Sequence, residues 1–305
     1  MIETFSLLLN QVSIMLVLMI IGYILTKKEM IDADFTKKLS TFLLCITNPA
    51  VMIKSFNIEF DIETLMTLAL AFAICLLLHL VMIIIAKLCF SKSRLSAFAL
   101  IFTNSGFMGI PLVEAFLGDS AIIYMTVFMV TSTLFMWTYG IYLISGDRND
   151  ISFSKVIKNP ATIALFVGLI LFFLPIELPV IFKDSLEMLT SCNTPLAMIV
   201  LGSYLASRHL NTIFKDAEAY KISIFRLIII PLITLAILSL LPSSLSLMRS
   251  ALLIGMSAPV AIAMSMFEDM LGKKGTLSVD VISLSTIFSL FSIPLVVAIS
   301  SILWI

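Results

Sequence analysis

Thr103-Asn104-Ser105-Gly106-Phe107-Met108-Gly109-Ile110-Pro111 lies inside an apolar run spanning residues 97–117. Three consecutive polar residues, two glycines and a proline are what a helix interior disfavours. Glycine loses most entropy on ordering, and proline removes a backbone donor and clashes with the preceding turn. In a run long enough to cross a bilayer, this stretch predicts a helix unwound at membrane depth. Its freed amides and carbonyls must then find protein or ligand partners, because lipid offers none. A second stretch of the same kind, Gly255-Met256-Ser257-Ala258-Pro259, interrupts the apolar run 249–267.

The composition sets the solvent. Of 305 residues, 60% are hydrophobic and 12% charged, with a mean hydropathy of +1.14. Soluble domains carry about 45–50% apolar and about 25% charged residues. Lipid must therefore face most of this chain. A net charge of zero points to neither a nucleic-acid partner nor an acidic substrate. Cys45, Cys75, Cys89 and Cys192 are scattered in apolar runs with no metal-like spacing and read as small hydrophobes. No metal and no cofactor is expected. Met1-Ile2-Glu3-Thr4 lacks the basic segment of a cleavable signal, so the first apolar stretch is expected to remain as a span.

Each span needs about 20 apolar residues to cross about 30 Å of hydrocarbon. Reading apolar runs against charged breaks predicts ten: 5–25, 38–55, 62–86, 97–117, 120–145, 159–175, 184–205, 222–241, 249–267 and 279–303. Alternate connections hold Lys27, Lys28, Lys37 and Lys38; Lys87, Lys92 and Arg94; Arg148, Lys155 and Lys158; Arg208, Lys215 and Lys221; Lys273 and Lys274. Those are fifteen of nineteen basic residues; Lys54, Lys183 and Arg249 lie opposite, and Arg226 lies inside the eighth span. The basic side reads as cytoplasmic, placing the chain multi-pass in the cell (plasma or inner) membrane with both termini extracytoplasmic.

Ten spans divide into two fives, and an odd-numbered unit repeated in tandem enters the membrane in opposite orientations. The expectation is an all-α membrane protein with a first repeat at 1–146, a short cytoplasmic linker at 147–158 and an inverted second repeat at 159–305. Two proline pairs agree with it: Pro49 and Pro195 are 146 residues apart, Pro111 and Pro259 are 148 apart. Short, Gly/Pro-interrupted segments in corresponding positions of two halves point to a transporter's binding site. Half-helix N-termini at the midplane favour an anion, above all a carboxylate.

Ionisable residues within spans are few. Glu114, one turn past Pro111, reads either as snorkelling to the interface or as a gating or coupling carboxylate. His79 reads as a hydrogen-bonded helix contact or a proton relay. Arg226 and Asp280 read as anchors near the cytoplasmic ends of their spans, and Arg226 alternatively as a lure for an anionic substrate into a vestibule. No motif for hydrolysis, metal catalysis or nucleotide binding occurs, so an enzyme is not expected.

Asn48-Pro49-Ala50, the string from Asn104 to Leu112 with Gly118-Asp119, Ser257-Ala258-Pro259, and Ser285 to Leu295 resemble the auxin efflux carrier family. That family includes bacterial malate permease-like proteins and the plant PIN-formed auxin exporters, and the resemblance runs the full length. It implies a fold like that of bile-acid symporters and sodium/proton antiporters. Spans 1, 2, 6 and 7 would form a scaffold that often dimerises; spans 3–5 and 8–10 would form a moving transport domain. Spans 4 and 9 would cross at Pro111 and Pro259. Asn104 and the backbone around Gly106, Gly109 and Ser257 would meet a substrate carboxylate, faced by Asn48 and Asn193. The expected activity is secondary transport of a small organic anion, a mono- or dicarboxylate such as malate or an auxin-like acid, by alternating access. A cation/proton antiporter of the same fold and a non-transporting membrane sensor are the competing readings.

Overall fold

The computed structural model describes residues 2–174, 178–206, 216–273 and 277–304. Arg208, Lys215 and Lys274 of the basic set lie outside them, as do Met1 and the end of the predicted sixth span. Among the described residues the chain is all helical. Its runs are α1 (Ile2–Lys27), α2 (33–55), α3 (Ile62–Cys89), α4 (Arg94–Ile101), α5 (Ser105–Leu117), α6 (Asp119–Ser145), α7 (Arg148–Phe173), α8 (Val180–Ala206), α9 (Ala217–Leu238), α10 (Ser246–Ser257), α11 (Ala263–Met270) and α12 (Leu277–Leu303). Six of these, α3, α6, α7, α8, α9 and α12, are long and apolar enough to cross a membrane.

The helix starts are written in short polar side chains. Asp32, Asp61, Ser93 and Asp216 precede α2, α3, α4 and α9, and each accepts a hydrogen bond from an amide two or three residues on. Each such cap stabilises its helix by about 1 kcal/mol, because the first-turn amides lack intrahelical acceptors.

Prolines act differently from the kinks expected of them. Asn48, Ile110 and Ile230, each just before a proline, donate their amides to Leu43, Ser105 and Phe225, five residues back. These wide turns, Leu43–Thr47, Ser105–Gly109 and Phe225–Ile229, give the proline ring space against the carbonyl four residues before it. Helicity therefore continues through Pro49, Pro111 and Pro231. In α8 a single residue, Cys192, interrupts helicity just before Asn193-Thr194-Pro195.

Where lipid is as apolar as the side chains, close packing rather than hydrophobicity joins helices, and small residues permit it. α1 lies along α8, α2 on α7, α3 on α6 and α9 on α12. A Cβ on Gly22 would fall 2.1 Å from the Ile199 carbonyl oxygen, and one on Gly202 would fall 1.9 Å from that of Met19. The α1 and α8 backbones thus touch. On the other pair, Gly168 of α7 makes room for the buried ring of Phe56. Between these outer pairs the interrupted runs α4–α5 and α10–α11 meet.

Candidate substrate site at the crossing of two interrupted helices

The two interruptions satisfy each other's backbone. Thr103 and Val260 form an isolated antiparallel bridge. The Asn104 amide donates to the Pro259 carbonyl at 2.8 Å, and the Ala261 amide donates to the Phe102 carbonyl at 3.1 Å. Ser285 of α12 accepts from the Val260 amide at 3.2 Å. The crossing therefore lies at Thr103 and Val260, and only residues 102–104 of the first run are unwound. Pro111 is displaced from it, at the second position of the helix that starts at Ile110. The glycines serve close approach instead of unwinding. A Cβ on Gly106 would sit 2.9 Å from Asn48 Nδ2, and one on Gly109 would sit 2.4 Å from Met125 Cε.

Four half-helix ends converge here. Two are C-terminal, those of α4 and α10, and their last carbonyls carry partial negative charge. Arg226 of α9 fills the space between them. Its Nη1 donates to Leu100 O at 2.8 Å, its Nε to Ala258 O at 3.1 Å, and its Nη2 to Met256 O. The side chain is 0% exposed. This corrects both expectations for Arg226: it neither anchors at an interface nor lines a vestibule. Position along the apolar run indicated its depth along the span but not the carbonyls opposite.

The other two ends are N-terminal, those of α5 and α11, and both open into one cavity of about 290 Å³. Ser105, Gly106 and Phe107 line it from the first turn of α5, and Ile262 and Ala263 from the start of α11. First-turn amides have no intrahelical acceptor and favour negative charge. Three polar side chains join them. Asn48, Thr103 and Asn104 are at most 4% exposed and line the cavity. Both amide atoms of Asn48, Thr103 Oγ1 and Asn104 Nδ2 have no hydrogen-bond partner among the described residues. Leu44, Met129, Met136, Trp137, Met266 and Phe267 make the remaining wall largely apolar. Among the described residues, no Asp, Glu, His, Lys or Arg lines the cavity. The cavity reaches the surface at Thr41, Cys45 and Met266, which are exposed.

The sequence candidates separate on this geometry. Asn48, Asn104 and Gly106 line the cavity; Gly109, Pro111, Ser257, Pro259 and Asn193 do not. Ser257 Oγ donates back to Leu253 O at 2.7 Å, as hydroxyls in helices often do, and is thereby occupied. Pro259 takes part through its carbonyl, as the partner of Asn104. Asn193 Oδ1 accepts from Thr47 Oγ1 at 2.7 Å and ties α8 to α2. His79 is buried in α3, with Nδ1 against Cys75 O at 2.8 Å and its ring stacked on Phe135 at 5.0 Å. Glu114 is met by Thr194, whose Oγ1 donates to it at 3.0 Å. Thr103 was legible only as the first residue of the decisive stretch; Cys45 and Thr133, on other helices, carried no signal of their own.

On the side of the crossing away from the cavity, charged and polar side chains bridge the helices. Lys54, at the end of α2, pairs with Asp119 at 2.8 Å and with Glu187 of α8 at 2.8 Å. With the Glu114–Thr194 bond, these contacts join the α5 end to α2 and α8.

A profile of the membrane transport protein family matches residues 7–155 and 147–297 of the chain. An uncharacterized transporter of Methanothermobacter thermautotrophicus is 28% identical over 295 residues, which cover 92% of this chain and 94% of that one. An uncharacterized transporter of Methanocaldococcus jannaschii is 25% identical over 301 residues, covering 94% and 97% respectively.

Proposed function

Because the chain belongs to the membrane transport protein family, the auxin efflux carrier-like group, we propose that it carries a small organic anion across the cell membrane by alternating access. The observation behind this reading is the cluster of unpartnered polar groups at the crossing, where the cavity meets two half-helix N-termini. Two half-helix N-termini, each equivalent to about half a positive charge, meet the unpartnered Asn48, Thr103 and Asn104 there. Together they complement about one negative charge. The remaining wall is largely apolar, and among the described residues it offers no cation for a second carboxylate. Among the carboxylates considered from sequence, a monocarboxylate with an apolar body therefore suits the cavity better than malate. A cation/proton antiporter would need a titratable group in the cavity, and neither Glu114 nor His79 lines it.

The proposal extends to ten spans in two inverted repeats. Cys45 and Cys192, Thr47 and Thr194, and His79 and Arg226 are each 147 residues apart, between the two proline spacings of 146 and 148. Helix pairing follows the same rule: α2 on α7 mirrors α8 on α1, and α3 on α6 mirrors α9 on α12. The distribution of basic residues supports a cytoplasmic position for the cavity mouth, near Thr41 and Asn159.

The test is a melting panel of acetate, benzoate, phenylacetate, succinate and malate on detergent-purified protein, followed by flux in liposomes. A ligand at a hundred times its Kd stabilises the folded state by about 2.7 kcal/mol. Benzoate or phenylacetate should raise the melting temperature most. Absence of carboxylate binding, and of flux under any pH, sodium or voltage gradient, would overturn the reading.

A further inference from the structure

We propose that Arg226 is a tethered cation in a carbonyl cage, and that it lets the anion site across the crossing work without a bound metal cation. The functional half of this inference rests on the anion-carrier reading; the cage does not.

The cage is built from the chain's own helix ends. Leu100 is the next-to-last residue of α4, Met256 the next-to-last of α10, and Ala258 follows α10 directly. All three carbonyls point at one guanidinium. Two half-helix C-termini carry about half a negative charge each, so one permanent positive charge balances them. None of the ion pairs among the described residues involves Arg226. The backbone ends are its counterions. Without a cation in this place, the two negative ends would face the same crossing as the two positive ends and weaken the field felt in the cavity. A converging set of buried carbonyls with that charge deficit would attract a small cation from solution. Arginine fills it covalently, with donors splayed in a fixed plane that reach three acceptors on two helices.

Arg226 touches no part of the cavity. It is a positioning residue, and its role separates into charge and hydrogen bonding. Lysine in its place keeps the charge; glutamine is neutral and shorter and keeps two amide donors.

The experiment uses the purified full-length chain, wild type and Arg226→Ala, Arg226→Lys and Arg226→Gln. The first readout is melting temperature without ligand, in millimolar guanidinium hydrochloride or equimolar tetramethylammonium chloride. Millimolar guanidinium lies far below denaturing concentrations. Arg226→Ala should melt lower than wild type and recover with guanidinium but not tetramethylammonium, while wild type responds to neither. No recovery would overturn the cage. The second readout is phenylacetate affinity in sodium, potassium and choline chloride. Wild type should bind equally in all three; a sodium requirement would overturn the proposal without any variant. Arg226→Lys should stay near wild type, and Arg226→Gln should lose affinity by about tenfold, the size of a typical coupling between sites. Equal affinity in these two variants would leave Arg226 structural only and overturn its electrostatic role. Should wild type bind no phenylacetate, the anion reading fails on that ligand, and the melting readout still decides the cage.

Discussion

Asn48 holds two amide atoms in a buried place with no partner among the described residues for either, an arrangement that costs stability. A buried unsatisfied polar group is unfavourable by about 1–3 kcal/mol. On the anion-carrier reading, the bound anion and its first water shell complete these hydrogen bonds. Asn48→Ala should therefore abolish the ligand-induced rise in melting temperature while leaving the apo protein as stable as wild type or more so. A fall in apo stability would instead mark Asn48 as a structural contact. Gly106→Ala tests the same atoms from the opposite side, because its methyl would press on Asn48 Nδ2. It should weaken binding with little change in the apo protein. That Asn104 and Asn48 would face an interior cavity was legible in the sequence, because an amide beside a proline or glycine within an apolar run has few bland uses. Ser257 looked equivalent and is not, since a hydroxyl can fold back onto its own helix and an amide at a break cannot. Arg226 was misplaced for a related reason: what a long side chain meets across a crossing is a tertiary fact, absent from its own helix.

At the scale of elements, local chemistry indicated where helices lie better than it did the geometry between them. Apolar runs and caps such as Asp61 before α3 place boundaries within a few residues. The break in α4–α5 was legible, but the crossing lies at Thr103, eight residues before the Pro111 that the family resemblance implied. Proline announces a missing hydrogen bond, and a widened turn absorbs that deficit without unwinding the helix. Unwinding happens where another backbone supplies the partners, as Pro259 and Phe102 do. The α1–α8 contact was not legible at all, because Gly22 and Gly202 lie 180 residues apart and nothing local couples them. Their backbones leave no room for a methyl, and backbone cannot swing aside as a side chain does. Overfilling a packed contact costs about 1–3 kcal/mol. Gly202→Ala should thus lower the melting temperature in detergent. Neither glycine lines the cavity, so the added stabilisation by ligand should persist in the variant. Loss of that increment at unchanged melting temperature would refute this division.

At the scale of the whole molecule, the cavity opens on one side of the crossing, and on the alternating-access proposal this structure is one of the carrier's two states. What bridges the far side is weak by design of its chemistry. Lys54, Asp119 and Glu187 form partly exposed pairs, and exposed ion pairs contribute only about 0.2–1 kcal/mol each. A gate held this loosely opens on a modest bias, whereas a buried pair would lock it. Removing Lys54 leaves Glu114, Asp119 and Glu187 on one surface with mutual repulsion added to the lost attraction. A loss of about 1.4 kcal/mol shifts a two-state equilibrium about tenfold, and Lys54→Ala should approach that size at low salt and less at high salt, as screening weakens exposed charges. Cys45 reports the shift because it is exposed at the open mouth. With Cys89 and Cys192, the other exposed thiols, replaced by serine, labelling of Cys45 by an impermeant maleimide should slow in Lys54→Ala. Labelling from the side bearing Lys37 and Lys158 should be the faster in wild type, since those residues flank the mouth. Unchanged labelling in Lys54→Ala at every salt concentration would mean that these charges do not hold the gate, leaving the Glu114–Thr194 bond and the packing of α5 against α8 to close it.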